Sequence, residues 1–289
     1  MEHIQQAIER AKGSAAADPK MQQQTRAATL QPQLDAKGTN QTAGKKFDLN
    51  AAYLESKRII SHDIKDTRTR SFDMLRTQVL QSMDEKSWQL LGVTSPTPGC
   101  GKSLIAVNLA LSIARLPERS VLLIDMDLHK PQVANTLGFK CNQGLMSVLE
   151  GRTTLSSALI QAHIRNQHFL VLPCETSTLD SSEWMASRSM SALLQDIKRD
   201  FRGWTVILDL PPILPSDDVI SILPQIDSVL FVVAIGATKV AEIKECNKHL
   251  DATPIVRVVV NKATDAASTY HYGDYGHKPA TQLNTLSQN

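Results

Sequence analysis

From Ser87 onward the chain alternates short, unbroken apolar runs with segments of helical periodicity, and this alternation restricts the possible folds more than any other feature. A strand that is buried on both faces reads as a continuous apolar run, and helices between such strands return the chain so that the strands lie parallel. The pattern therefore predicts a doubly wound, mostly parallel α/β sheet. The predicted strands are 88–93, 121–125, 169–172, 204–208, 229–235 and 255–260, and the predicted helices are 71–83, 102–114, 190–201 and 240–250.

The composition divides the chain into three parts. Residues 1–47 are predicted to form a short helix, with Ile4 and Ile8 at helical spacing, and then a flexible linker that has too few large apolar residues to fold. Residues 48–265 are the predicted folded domain. Apolar content falls after that point, so residues 266–289 are predicted to be a flexible tail.

Charge and cysteine content exclude several classes of function. The net charge is +2, from 31 basic and 29 acidic residues, so we expect no nucleic-acid partner. The four cysteines form no CxxC pair, which argues against a zinc site and fits a reducing compartment. The longest apolar run, 228–235, is far shorter than the roughly 20 residues of a membrane span. We therefore expect a cytoplasmic protein that reaches the membrane only through a partner.

Segment 99–103, with the sequence Gly-Cys-Gly-Lys-Ser, stands between a predicted strand and a predicted helix. Glycines let backbone N–H groups turn toward a triphosphate, and the helix N-terminus favours an anion. In such a loop Lys102 would reach the β- and γ-phosphates and Ser103 would bind Mg²⁺. The strict P-loop pattern has glycine where this chain has Pro96. The alternative is a glycine-rich turn that only begins a helix, but the order of elements favours a Mg-ATP site.

Three acidic residues follow predicted strands at the edge where such sheets bind ligands. Asp125 and Asp127 end the run 121–127, and Asp209 ends a second apolar strand, as a magnesium-binding carboxylate of a P-loop protein would. A single aspartate after a strand is usually a turn former or a helix cap. Asp217 and Asp218 could have that capping role for the next helix.

The tail contains an unusual cluster of tyrosines. The chain has four tyrosines, and Tyr270, Tyr272 and Tyr275 lie within six residues of each other in a polar segment. A tyrosine in a solvated tail gains nothing from burial, so packing does not explain the cluster. Chance, or weak docking against a neighbour, is the alternative to a chemical role.

Taken together, these features resemble the bacterial tyrosine autokinases (BY-kinases) of capsule and exopolysaccharide export, in the form that is a separate cytoplasmic chain. The resemblance covers roughly residues 60–276. The matching motifs are Phe72-x-x-Leu75-Arg76-Thr77, residues 94–103, residues 123–128, residues 209–212, Val260-Asn261-Lys262 and the tyrosine-bearing tail.

The resemblance implies an ATP-dependent kinase with Mg²⁺ and assigns roles to the matching residues. Lys102 would hold the phosphates, and Ser103, Asp127 and Asp209 would form the metal site, the two acids through waters. Asp125 would position or deprotonate the incoming phenol. The implied nucleotide-binding set also includes Gly99, Cys100, Gly101, Leu104 and, as a contact to adenine, Asn261.

The family also implies substrates and partners. Its members transfer the γ-phosphate of ATP to tail tyrosines of a neighbouring subunit, which here would be Tyr270, Tyr272 and Tyr275. The implied partners are other copies of the chain, a membrane-embedded chain-length regulator that activates the kinase, and a tyrosine phosphatase. Recruitment to the inner face of the membrane would occur through the regulator.

The chain departs from the family at two places, and two other functions stay open. The usual Glu-x-x-Arg on the helix before the first strand is Arg70-x-x-Asp73 here, with the charges reversed, and the usual basic pair after the DxDL motif is His129-Lys130. One alternative is a dimerising ATPase of the positioning or partition type. Those proteins have a second lysine where this chain has Thr97. The other alternative is a non-catalytic regulator that binds nucleotide.

Overall fold

A computed structural model describes residues 45–251 and 253–263 of the chain. Within these residues, eight strands form one sheet with the order β1-β4-β5-β3-β6-β2-β7-β8, and all neighbours are parallel except β4 and β5. The predicted mostly parallel sheet is thus confirmed. The strands are β1 (Lys45–Asp48), β2 (Leu90–Thr94), β3 (Val121–Asp125), β4 (Ile160–Ile164), β5 (Gln167–Leu172), β6 (Thr205–Asp209), β7 (Ser228–Ala234) and β8 (Ile255–Asn261).

Ten α-helices connect the strands within the described part of the chain. No helix there is both long and apolar enough to cross a membrane. The helices are α1 (Ala51–Ser56), α2 (Arg70–Lys86), α3 (Lys102–Ala114), α4 (Val133–Leu137), α5 (Leu145–Leu149), α6 (Leu155–Ala158), α7 (Ser181–Met185), α8 (Arg188–Asp200), α9 (Asp218–Ile222) and α10 (Val240–Leu250), with 3₁₀ turns at Thr67–Thr69 and Leu223–Gln225.

The sheet has a hydrophobic core on each face. Helices α2 and α3 cover one face, and α8, α9 and α10 pack on the other. Along β3, Leu123 belongs to the core that α2 and α3 cover, whereas Leu122 and Ile124 belong to the core on the opposite face. Burial on both sides explains why the central strands read as continuous apolar runs rather than as alternating ones.

The structure contains two strands that the sequence did not predict, and both lie toward one end of the sheet. β1 begins at Lys45, inside the segment predicted to be a linker, and its four residues include no apolar run. β4 alternates buried and half-buried residues and pairs antiparallel with β5. The predicted N-terminal helix and the tyrosines of the tail lie outside the described residues.

A buried asparagine links α3 to the loop that follows α1. The side-chain oxygen of Asn108 accepts the N–H groups of Ile60 and Ser61 over 2.9 and 3.1 Å. Its amide nitrogen donates to the carbonyls of Arg58 and Leu104 over 3.2 and 3.0 Å. Three of these bonds join the loop to the helix that begins at the phosphate loop, and the fourth, to Leu104, lies within that helix; the Asn108 side chain is fully buried.

Candidate active site

The carboxyl ends of β3, β6 and β2 meet because these strands lie side by side in the sheet. Asp125 and Asp209, the last residues of β3 and β6, are direct partners in the parallel register. The N–H of Met126 donates to the carbonyl of Asp209 over 2.9 Å. The loop of residues 95–101 follows β2 at this same edge, so the fold brings together the predicted phosphate loop and two of the predicted acids.

The glycines of the loop have backbone conformations that other residues adopt only with strain. Gly99 has φ 81° and Gly101 has φ 95°, and α3 begins directly afterwards at Lys102. A Cβ atom on Gly101 would stand 2.2 Å from the side-chain nitrogen of Asn261. That nitrogen donates to the carbonyl of Cys100 over 2.8 Å. Asn261, which we expected at the adenine, is therefore in contact with the backbone of the loop.

Proline fits at position 96 because this part of the loop is held by hydrogen bonds to carbonyl groups and needs no N–H at that residue. The carbonyls of Ser95 and Pro96 accept the N–H groups of Ile213 and Leu214 over 2.9 and 3.1 Å. Neither bond needs the N–H that proline lacks. The start of the loop is thus held against the segment that follows β6.

Lys102 is paired with Asp127 across the site. Its ammonium nitrogen donates to Oδ2 of Asp127 over 2.7 Å, and both side chains are largely buried. The other carboxylate oxygen, Oδ1, accepts the N–H of Lys130 over 3.0 Å. Burial acts to lower the pKa of Lys102, but Asp209, Asp127 and Asp125 together raise it above its ordinary value. Lys102 is therefore a firmly protonated cation.

Asp209 is fully buried, and neither of its carboxylate oxygens has a hydrogen-bond partner. Burial raises the pKa of Asp209 to about 6; Lys102 and the hydroxyl of Ser103 oppose the rise, and Asp127 adds to it. Ser103 is near enough to have this effect, although no hydrogen bond joins its hydroxyl to Asp209. A buried carboxylate without a donor is unfavourable by itself, so this geometry favours a cationic ligand at Asp209.

Asp125 has one oxygen fixed and one free. Oδ2 accepts the N–H groups of Gln132 and Val133, both over 2.9 Å, whereas Oδ1 is buried and has no partner. Burial raises the pKa of Asp125 well above its ordinary range, and Asp209 raises it further, against the two N–H groups. The carboxylate is thus held in one orientation and has a second oxygen free to accept a proton or a hydrogen bond.

The residues present fit a magnesium ion that is bound mainly through phosphates and water. No three His, Cys, Asp or Glu side chains of the described residues are arranged to hold a metal ion alone. Mg²⁺ usually retains several waters and takes one or two protein ligands beside the substrate phosphates. The Ser103 hydroxyl and the unpartnered oxygens of Asp209 are suitable donors for this arrangement.

A cavity of about 430 Å³ opens at this edge of the sheet. Six of the predicted site residues line it: Gly99, Gly101, Lys102, Ser103, Leu104 and Asp127. Cys100, Asp125 and Asp209 are buried and are not in its lining, and Asn261 lines a separate groove. The prediction missed further lining residues from the loops after β3 and β6, namely Gln132, Pro211, Pro212, Pro215 and Ser216. The paired prolines directly after Asp209 were the one sequence signal for this wall.

His129 lines the cavity and is held by side chains of α7 and α9. Its Nε2 lies 2.7 Å from the hydroxyl of Ser181 and 3.8 Å from a carboxylate oxygen of the buried Asp218. The Ser182 hydroxyl lies 2.5 and 2.6 Å from the carboxylates of Asp217 and Asp218. Asp217 precedes α9 but makes no side-chain cap, so these acids join α7 to α9 instead of capping the helix.

Asp73, which stands on α2 where the family usually has arginine, makes its contacts within the subunit. Asp73 accepts from Arg115 over 2.9 and 3.2 Å and from the hydroxyl of Ser112 over 2.8 Å, and Arg76 lies 3.2 Å away. Asp73 therefore links α2 to α3. Arg70 stands at the exposed start of α2.

Comparisons with known proteins agree with this geometry. A family model described as ParA, NUBPL iron-transfer P-loop NTPase, matches residues 87–263. The chain is 29% identical over 214 residues to the putative tyrosine-protein kinase EpsB of Ralstonia nicotianae, which covers 74% of this chain but only 28% of EpsB. It is 28% identical over 221 residues to the tyrosine-protein kinase YwqD of Bacillus subtilis, covering 74% of this chain and 89% of YwqD. Among solved structures, the kinase domain of the Escherichia coli tyrosine kinase ETK aligns with a TM-score of 0.61 at 25% identity, over 73% of this chain and 82% of that domain.

Proposed function

Since this chain belongs to the ParA family of P-loop NTPases, we propose that it is an ATP-dependent protein-tyrosine kinase of capsule or exopolysaccharide export. Its phosphate acceptors are Tyr270, Tyr272 and Tyr275 in the tail of a neighbouring copy. The iron-transfer activity in the family's description is not part of the proposal, because the four cysteines form no CxxC pair and no three His, Cys, Asp or Glu side chains of the described residues are grouped to hold a metal ion.

One observation carries the proposal: an unpartnered, fully buried carboxylate lies beside the start of the phosphate-loop helix. Asp209 has no donor for either oxygen, yet Lys102 and Ser103 are close enough to change its pKa. A magnesium nucleotide bound there would supply the transferable phosphoryl group and neutralise this charge. The relatives that carry the word kinase in their names support phosphoryl transfer over simple hydrolysis.

Lys102, Ser103 and the loop backbone bind and orient the phosphates. The ammonium of Lys102 is held ready by Asp127, which is itself fixed by the N–H of Lys130. The N-terminus of α3 and the N–H groups of the loop favour an anion at the same place. Phosphoryl transfer depends mostly on positioning and on charge stabilisation, and both are built into these elements.

Asp125 is the residue that would receive the acceptor phenol. Its Oδ2 is fixed by two backbone N–H groups, and its free Oδ1 can accept the phenolic proton. A phenol has an ordinary pKa of about 10, so it benefits from a positioned acceptor when it attacks. A carboxylate whose pKa burial has raised is a better acceptor than an exposed one.

The proposed partners follow from the same assignment. Transfer from ATP bound in one copy to the tail of another requires at least two copies of the chain. The family resemblance adds a membrane-embedded regulator as activator and a tyrosine phosphatase as antagonist. The protein would work at the inner face of the membrane through that regulator. The partition-type alternative is disfavoured at Thr97, since its hydroxyl contacts the sulfur of Cys100 at 3.7 Å and no lysine stands there.

Mass spectrometry of the purified chain tests the proposal. After incubation with Mg-ATP and the cytoplasmic part of its regulator, we expect phosphate on Tyr270, Tyr272 or Tyr275. A Lys102→Met variant should show none, while Lys248→Met, at an exposed position on α10, should behave as the wild type. Unchanged phosphotyrosine in Lys102→Met would refute the assignment. Nucleotide-dependent dimers that hydrolyse ATP without phosphotyrosine would favour the partition-type ATPase instead.

A further inference from the structure

A second concave surface lies between α2 and β8, and we call it the α2–β8 groove. Its volume is about 720 Å³, and its apolar lining comes mainly from Phe72, Met74, Leu75, Val258 and Val260. Met74 is 64% exposed, and the two valines are each 56% exposed. β8 is also the last strand of the sheet, with β7 as its only strand neighbour within the described residues. Exposed apolar side chains on an open strand edge indicate a binding surface.

The charged residues of the groove all have the same sign. Arg58, Arg68 and Lys262 line it, and none of its fourteen lining residues is acidic. Arg68 is already bonded to Asp66 over 2.5 Å, but Arg58 and Lys262 make no ion pair within residues 45–251 and 253–263. A ligand that fits this surface combines a flat apolar group with a concentrated negative charge.

Phosphotyrosine has this combination of properties. Its ring can lie on the valines and on Met74 of the apolar floor, and its phosphate can accept charge-assisted hydrogen bonds from Arg58. Arginine clusters beside an apolar surface are a general means of recognising phosphorylated segments. Unphosphorylated tyrosine would retain only the apolar part of this interaction.

The chain itself supplies such a segment at the required place. Ala263, which lines the groove, is the last described residue, and 26 further residues follow it. Tyr270 is seven residues further on, so an extended segment reaches about 25 Å, enough to return to any part of the groove. A short tether also gives the segment a millimolar effective concentration.

We propose that the α2–β8 groove binds the phosphorylated tail, residues 264–289 of the same chain, through phosphotyrosine at position 270 or 272. The proposal depends on the proposed kinase function only for the origin of the phosphate. Bound in this way, a modified tyrosine is removed from the active sites of neighbouring copies, so the groove retains the product of the reaction.

Fluorescence anisotropy with a synthetic peptide tests this directly. The probe is a fluorescein-labelled peptide of residues 264–278, prepared unmodified, with phosphate on Tyr270 or Tyr272, or with phosphoserine at position 272. The protein is the full-length, dephosphorylated chain without nucleotide. We expect a phosphotyrosine peptide to bind at least tenfold more tightly than the unmodified peptide, because a charge-assisted hydrogen bond contributes about 1.5–3 kcal/mol. It should also bind more tightly than the phosphoserine peptide, which keeps the phosphate but lacks the ring that packs on the apolar floor.

Matched variants locate the site. Arg58→Gln should weaken the phosphopeptide about tenfold without affecting the unmodified one, and Val258→Asp should weaken both. Arg199→Gln, at an exposed ion pair on α8, is the control and should change neither. Thermal melting checks that each variant is folded.

Four outcomes would overturn the proposal. One is equal affinity for modified and unmodified peptides, a second is full affinity in Arg58→Gln, and a third is complete displacement of the peptide by Mg-ATP, which would assign the groove to the nucleotide base. Binding that requires a second copy, seen as a dependence on protein concentration, would also contradict docking within one chain. Phosphotyrosine formation in the same preparations tests the kinase separately, so failure of the groove leaves that function intact.

Discussion

Replacement of Asp209 by asparagine should stabilise the nucleotide-free protein while abolishing its activity. The carboxylate is fully buried and unpartnered, and its pKa is raised from 3.8 to about 6. The folded state therefore holds a proton that the unfolded state has lost at intermediate pH. Above pH 6 the folded protein has to ionise this group in an unfavourable place, and asparagine removes that requirement.

The magnitude follows from the difference in pKa. A difference of about 2.2, at about 1.36 kcal/mol for each unit, gives about 3 kcal/mol at pH 7.5. The sign is that of a raised carboxyl pKa: the penalty is absent below pH 4, grows as the pH rises to 6, and is then constant. At pH 5 the gain from Asp209→Asn should be roughly half of that at pH 7.5. The pKa of Asp125 should also fall, because Asp209 is one of the groups that raise it.

Urea unfolding without magnesium or nucleotide measures this effect. The free energy of unfolding of Asp209→Asn and wild type should differ most at pH 7.5 and converge near pH 4. The control is Asp196→Asn, at a half-exposed position on α8, which should change little. Mg-ATP should stabilise the wild type but not the variant. A variant less stable than wild type at pH 7.5, with an unchanged urea slope, would refute the argument.

Other substitutions test single contacts of the site and its supports. Gly101→Ala should weaken nucleotide binding more than tenfold in a titration, since its Cβ would collide with Asn261, whereas Gly151→Ala, with φ 70° but nothing within 4 Å, should cost only about 1 kcal/mol of stability. Asn261→Ala removes the hydrogen bond to the carbonyl of Cys100 in the phosphate loop. It should weaken nucleotide binding several-fold with little change in melting temperature. Asp73→Ala leaves Arg115 without its partner and should lower the free energy of unfolding by about 1–3 kcal/mol, measured in urea.

Sequence patterns predicted the central elements best. The bounds of β3, α3 and α10 agree with the prediction. β3 is a continuous apolar run, α3 is an apolar segment that begins directly after the glycine-rich loop, and α10 is amphipathic. β1 and β4 were missed for the opposite reason. A strand near the end of a sheet is only partly buried, so its sequence has no continuous apolar run. Short helices such as α4 and α5 have too few residues to show a period.

The acidic residues of the site could be predicted from the sequence because each follows a strand. The residues that they contact could not be predicted in this way. Asp125 and Asp209 were predicted to follow strands at the ligand-binding edge of the sheet, and the register of β3 with β6 places them side by side. The pairing of Lys102 with Asp127 depends on distances across the loop that no spacing in the sequence encodes. The contact of Asn261 with Cys100 likewise requires knowledge that β8 follows β7 at the sheet edge.

The three hydrogen bonds from Asn108 to the loop at residues 58–61 couple the motion of this loop to that of α3. If the loop left α3, the N–H groups of Ile60 and Ser61 and the carbonyl of Arg58 would lose these bonds, so loop and helix move as one body. Since α3 starts with Lys102 and Ser103, a pull on the chain near β1 and α1 would be transmitted to the residues that hold the phosphates. A displacement of β1 and α1 would therefore also move the residues of the active site that begin α3.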